Sequence, residues 1–200
     1  IWELAQNTGR QLRDTAKPFV QDLYSFTGES SLLVGLDNPE ELLIERVYCS
    51  NIVARSSRVG GRLPLSSTAV GQVLLAFEEP WVREAYLKLP LEAATEYSVT
   101  DPEVLAEELR RIRTQGYSIS VDEQRIGASS IAVPVWHTGR IGAGLGVVVA
   151  TSQSANMERF LPVLQAPSQR INKATAHIPL DTLLASTRRD SRKDSRKSGR

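Results

Sequence analysis

The order of apolar patterns along these 200 residues predicts an α+β fold built on a largely antiparallel six-stranded sheet. Three observations support that reading. Strand-like runs come in two groups of three, and short turns join neighbours within a group. Helical spacings fall between and outside the two groups. Gly and Pro punctuate the boundaries.

Each element follows in order. From Asp14 to Thr27, Ala16, Phe19, Val20, Leu23 and Phe26 recur at helical spacing, and Gly28 is a natural left-handed stop. Pro18 suits a first helical turn, so a helix should begin near it or kink there. Ile1 to Arg13 offers a thin stripe of Trp2, Leu4 and Leu12, which fits a linker helix or a frayed terminus equally well. The runs SLLVGLD and LLIERVYCS flank the turn-forming DNPE and predict a hairpin. A third strand is expected through Ile52–Arg58, ending at Gly60-Gly61. A helix from about Ser67 to Phe77 follows, with Val70, Val73, Leu74 and Phe77 on one face. A short helix should begin at Pro80 and end before Pro90. The next has a strong start in TDPE, with Thr100 or Asp101 as cap, Pro102 at the first helical position and Glu103 closing a capping box with Thr100. Gly116 ends it. Three strands follow in GYSISVDE, SSIAVPVWH and RIGAGLGVVVA, with a turn at Thr138-Gly139. A last helix from about Ser154 to Ala176 contains Pro162 and Pro167 and should be broken or kinked.

Composition bounds the function. With 41% apolar and 24% charged residues, the chain reads as globular, and no apolar run approaches the ~18–20 residues of a membrane span. The first residue is Ile1 rather than Met, so a piece of something longer is expected. Cys49 is the single cysteine, which excludes an internal disulfide and makes a reducing cytoplasm the default. The net charge of +1 is uneven: Arg188–Arg200 holds seven basic and two acidic residues, leaving the rest at 17 basic against 21 acidic. That body is no basic nucleic-acid platform. The tail reads as a solvated, disordered terminus, with a non-specific electrostatic contact as the alternative.

Marks of catalysis are weak. His137 and His177 are the only histidines, each expected at the surface, and no zinc-type cluster or nucleophile elbow is present. Cys49 is expected as a small buried apolar residue. GRIGAGLG resembles a phosphate loop, yet it leads into VVVA, a strand, where a phosphate loop would open a helix. Gly142, Gly144 and Gly146 share one strand face and leave space there for a packed helix or for a ligand. Asp122 and Glu123 form an acidic pair expected in a solvated loop. Ser66, Ser67 and Thr68 stand together at the start of a helix. One hydroxyl caps a helix, worth ~1 kcal/mol, while the others can serve an anion at the positive helix end. Gly71 in the second turn costs ~1 kcal/mol and needs a close neighbour to justify it.

Two blocks then resemble a known family. GRLPLSSTAVGQVLLA resembles G-x-x-x-P-L-H-A-T-A-x-G-K-A-L-L-A, and GYSISVDEQRIGASSIAVPVWHTGRIGAGLGVVVA resembles G-Y-A-x-x-x-E-E-x-x-x-G-x-x-C-I-A-A-P-V-x-x-x-x-G-x-V-V-A-A-L-S-V-S. These are signatures of the isocitrate-lyase-regulator (IclR) family of bacterial transcription factors, and the likeness runs from about Lys17 to Ala176. It implies a GAF-like, profilin-like effector-binding domain over 17–177, with 1–16 as the end of a linker helix and 178–200 as a disordered basic tail. It further implies a winged helix-turn-helix ahead of this chain that contacts operator DNA, assembly as a homodimer or tetramer, no cofactor and no membrane. The effector expected from the family is a small carboxylate or an aromatic catabolite. Carried over by position, the effector residues are Leu63, Ser66, Thr68, Ala69, Val70, Ser120, Ala128, Ser130, Gly146 and Val148. Ser66 stands where the family has His, Ser130 where Cys is frequent, and Gly146 and Val148 where two serines are usual. These departures make the wall roomier and more apolar. They predict a larger, partly apolar effector whose carboxylate or carbonyl meets the helix end. The competing readings are a stand-alone GAF-like sensory module and, more remotely, an enzyme using Cys49 or His137.

Overall fold

The computed structural model describes residues 10–37, 39–48, 58–180 and 183. Its centre is one six-stranded sheet in the order β3-β2-β1-β6-β5-β4. The strands are β1 Ser30–Asp37, β2 Glu40–Val47, β3 Arg62–Pro64, β4 Ser118–Val121, β5 Ala128–His137 and β6 Arg140–Ala150. Every neighbouring pair is antiparallel. The helices are α1 Arg10–Thr27, α2 Ala69–Phe77, α3 Pro80–Tyr86, α4 Pro102–Gln115 and α5 Leu161–Thr175, with single 3-10 turns at Thr151–Gln153 and Met157–Phe160. The α+β class and the antiparallel six-stranded sheet are as the sequence predicts.

The sheet is covered on both faces. In β6, Ala143, Leu145, Val147 and Val149 join a core made with Leu12, Ala16, Val20 and Leu23 of α1 and Leu164 and Ile171 of α5. Alternate residues of the same strand meet the other layer, where Val70 of α2 packs on Gly144 and Gly146. A second core there joins α2 to Leu105, Leu109 and Ile112 of α4. The period of two along β6 therefore sorts large residues to one layer and glycines to the other.

Several expectations need correction. Pro18 lies in the interior of α1, not in its first turn. A mid-helix proline costs about 3 kcal/mol, but Leu12 and Ala16 before it and Val20 and Leu23 after it are all buried in one core, and their burial holds the helix together. The same helix crosses the position between residues 16 and 17. Only Arg58 of the expected strand Ile52–Arg58 is described, and it lies outside any strand; Cys49 and residues 1–9 also lie outside the described residues. Among the described residues an edge strand lies at Arg62–Pro64, whose three residues carry no readable alternation. Asp101 rather than Thr100 caps α4, accepting from the Glu103 and Val104 N–H groups, and Gly116 ends it at φ 86°. The helix from Pro80 ends before Pro90 as expected, at Tyr86. The last helix opens only at Leu161, after the 3-10 turn. His137 is 2% exposed, not at the surface, because the last turn of α5 covers the end of β5 and sets Thr175 Oγ1 3.4 Å from His137 Nδ1. Thr138 and Gly139 form the expected turn, both at positive φ.

Candidate functional site

The site grows from the segment Leu63–Ala76. A tight turn from Pro64 delivers Thr68 in extended conformation at the start of α2, where its Oγ1 accepts from Gly71 N at 3.0 Å. Thr68 is thus the cap, and the two serines beside it have other partners. Ser66 N–H donates to Tyr86 Oη at 3.1 Å, which ties α3 to the turn. Ser67 Oγ contacts Gln124 Oε1 and lies 3.0 Å from Pro64 O, joining the turn to the loop after β4. The three hydroxyls hold three different elements together.

One partner of Thr68 was not evident in the sequence. Its hydroxyl donates to Oε2 of Glu41, a β2 residue only 5% exposed. Burial pushes the Glu41 carboxyl from its ordinary 4.5 up to about 8, against the Thr68 hydroxyl and Gly71 N–H, which favour its charged form. At neutral pH the group is therefore mainly protonated. Its position explains Gly71: a Cβ there would lie 2.6 Å from Glu41 Oε2 and 2.6 Å from Leu65 O. The close neighbours are the chain's own carboxyl and backbone, not an incoming ligand.

A second polar network braces the helix from behind. Gln72, buried in the second turn, donates through Nε2 to Ser66 O and to Glu123 Oε2, both at 2.9 Å, and its Oε1 accepts from Ser118 Oγ at 2.6 Å. Burial pushes the Glu123 carboxyl up to about 7; Glu108 adds to the shift while hydrogen bonds from Ser120 and Gln72 oppose it. The loop holding Asp122 and Glu123 is well tied, contrary to a solvated reading. Asp122 Oδ1 accepts from Gly127 N at 2.7 Å and Thr151 Oγ1 at 2.5 Å, and the Thr95 and Ser98 hydroxyls bond the loop carbonyls.

Between α2, β1, β2, β6 and the β4–β5 loop lies a cavity of about 300 Å³, at the small end of the range for small-molecule sites. Its floor is apolar: Leu32, Val34, Leu43, Val70 and Val148, with Gly146 leaving room among them. Leu63, Thr68, Ser120, Ala128 and Ser130 complete the predicted residues found on its wall. Ser66 and Ala69 are not among the lining residues. Ser66 turns to Tyr86, and Ala69 is packed in the α2–α4 core. Gly146 also cannot hold a side chain, since a Cβ would meet Val70 Cγ1 and Ile131 O at 2.9 Å.

Four arginines also line this cavity, Arg46, Arg58, Arg62 and Arg125, together with Glu41. Arg58, Arg62 and Arg125 are exposed and mark the mouth, whereas Arg46 is half-buried. Arg62 pairs with Asp37, and Arg46 lies over the Tyr48 ring. Arg58 and Arg125 have no ion-pair partner among the described residues. Arg46 reaches the cavity through a β-bulge. Leu33 pairs with Glu45 and Val34 with Leu43, which leaves Ile44 extra. The bulge sends Glu45 to Arg13 of α1 at 2.9 Å and returns Arg46 to the face of Glu41 and Leu43. A strand read by strict alternation puts Arg46 on the wrong side. The sequence signal is Glu41 itself, an acid immediately before the apolar run Leu42–Ile44.

Residues 5–173 match the family described as bacterial transcriptional regulator IclR, C-terminal. The chain belongs to that family. The transcriptional regulator XynR of Escherichia coli K12 is 32% identical over 174 residues, covering 83% of this chain and 68% of XynR. This IclR-family domain spans between 55% and 68% of the length of the first curated relatives it matches. An IclR homologue from Microbacterium hydrocarbonoxydans, crystallised with 4-hydroxybenzoate, superposes with a TM-score of 0.78 at 31% identity, over 83% of this chain and 68% of that one. The inducer-binding domain of a PobR double mutant from Acinetobacter, in complex with 3-hydroxybenzoic acid, gives 0.71 at 28% identity, over 80% and 96%. Among the described residues no helix is long and apolar enough to cross a membrane, and no group of three or more His, Cys, Asp or Glu is placed to hold a metal.

Proposed function

We propose that this domain is the effector-binding half of an IclR-type transcriptional regulator, and that its effector is a small acid with an apolar, aromatic-sized body. One observation supports this above the others: a cavity of about 300 Å³ with an apolar floor carries at its mouth Arg58 and Arg125, which have no ion-pair partner among the described residues. Apolar contact area supplies affinity to such a ligand, while the guanidiniums select its charge. The relatives solved with hydroxybenzoates are in keeping with the reading. Effector binding then biases operator binding by a winged helix-turn-helix preceding this chain, in a cytoplasmic homodimer or tetramer, with no catalysis. Ser66 and Ala69 act from behind the wall; Leu63, Thr68, Val70, Ser120, Ala128, Ser130, Gly146 and Val148 touch the effector.

A thermal-shift screen of the full chain tests this with benzoate, 3- and 4-hydroxybenzoate, phenylacetate, pyruvate and glyoxylate. A ligand at a hundredfold excess over its Kd adds about 2.7 kcal/mol, or several degrees in Tm for a domain this size. The aromatic acids should raise Tm and the two small polar acids should not. The opposite pattern rejects the reading.

A further inference from the structure

The two polar regions of the cavity differ in chemistry. At the mouth the groups are cationic and exposed. At the inner end, on β2 beside the start of α2, stands the Glu41 carboxyl, nearly closed off from solvent. Its Oε2 edge is engaged by Thr68, while among the described residues Oε1 has no protein partner. The helix N-terminus, where a ligand carboxylate is usually imagined, is thus already filled by a carboxyl of the chain itself. A ligand carboxylate placed there would lose its water beside a buried acid whose Thr68 donor is already committed, and a buried charge without donors is costly. A neutral hydroxyl meets no such penalty. It can exchange a hydrogen bond with Oε1, and a buried polar atom gains most from having such a partner.

Building on the effector-binding reading, we propose that Glu41 is a specificity-determining residue. Its Oε1 edge takes the hydroxyl of a hydroxylated acid, whose carboxylate lies towards Arg46, Arg58 and Arg125. The ligand is oriented with its charge outward and its hydroxyl inward. The acid lacking the hydroxyl leaves the carboxyl unpaired and binds more weakly.

Calorimetric titration of the full chain and two variants, Glu41→Gln and Glu41→Leu, tests this with two matched pairs: benzoate with 4-hydroxybenzoate, and phenylacetate with 4-hydroxyphenylacetate. In the native protein at least one pair should favour the hydroxylated acid by about tenfold or more. Glu41→Gln, which keeps the shape and the hydrogen-bonding capacity, should retain that preference. Glu41→Leu should bring the pair within about twofold. Equal binding within both pairs, or a preference that survives in Glu41→Leu, overturns the role of Glu41 and leaves the acid-binding reading standing. If none of the four acids binds the native protein, both readings fall together. Should the leucine variant not fold, as judged by circular dichroism, a Glu41→Gln protein that has lost the preference also overturns the proposal.

Discussion

Glu41 and Thr68 meet across the start of α2: the threonine hydroxyl donates to the glutamate's Oε2 while accepting from Gly71 N. One hydroxyl thereby caps a helix and supplies a donor to a buried acid. The consequences reach stability, pH response and ligand choice.

The first concerns pH. Burial lifts Glu41 from 4.5 to about 8, so between those values the native state holds a proton that the unfolded chain has lost. Stability from this group is full below about 4.5, falls as pH rises through the window, and is flat above about 8. Glu123, lifted to about 7, adds the same sign over a narrower range. The readout is therefore the difference between native protein and Glu41→Gln in urea melts at pH 5, 7 and 9. The variant's advantage should grow with pH, and a constant difference refutes the assignment.

Gly71→Ala should destabilise the fold by about 1–3 kcal/mol, although alanine is the better helix former by ~1 kcal/mol. The added Cβ has no room beside Leu65 O, and backbone does not move aside cheaply. A chemical melt showing equal or greater stability contradicts the packing described.

Thr68→Ala should cost about 2–4 kcal/mol: a lost cap is worth about 1, and a buried carboxyl deprived of its donor adds 1–3. Thr68→Ser keeps the hydroxyl and should lose much less. A serine variant as unstable as the alanine one would place the effect in the methyl group instead.

Pro18→Ala should stabilise. Pro18 is exposed within α1, so no buried contact is lost. The regained Asp14 carbonyl bond and relief of the ring clash outweigh the ~0.4–1 kcal/mol of added unfolded-chain entropy. A rise in Tm is the expected outcome, and a fall means that the ring supports the helix in some other way.

The sequence alone determined a good deal. Alternation in RIGAGLGVVVA, the turn at Thr138-Gly139, the cap before Pro102 and the stops at Gly28 and Gly116 are local signals. Each depends on residues within a few positions, and together they establish the α+β class and place Thr68 at a helix start. The glycines of β6 and the hydroxyls of α2 could likewise be assigned to one region before any coordinates.

Tertiary structure alone decided the chemistry of the cavity. Glu41 and Thr68 are 27 positions apart, and only the packing of β2 against the start of α2 makes one the acceptor of the other. Whether Glu41 is charged depends on its burial, a property of the assembled layers. Arg46 reaches the cavity through the extra residue at Ile44, and bulges follow from the pairing of two strands rather than from the residues of one. The sequence puts His137 at the surface because nothing near it in the chain covers it; α5 does, from 38 positions away. Local propensity fixes where elements begin and end, whereas burial and charge depend on which elements the fold brings into contact.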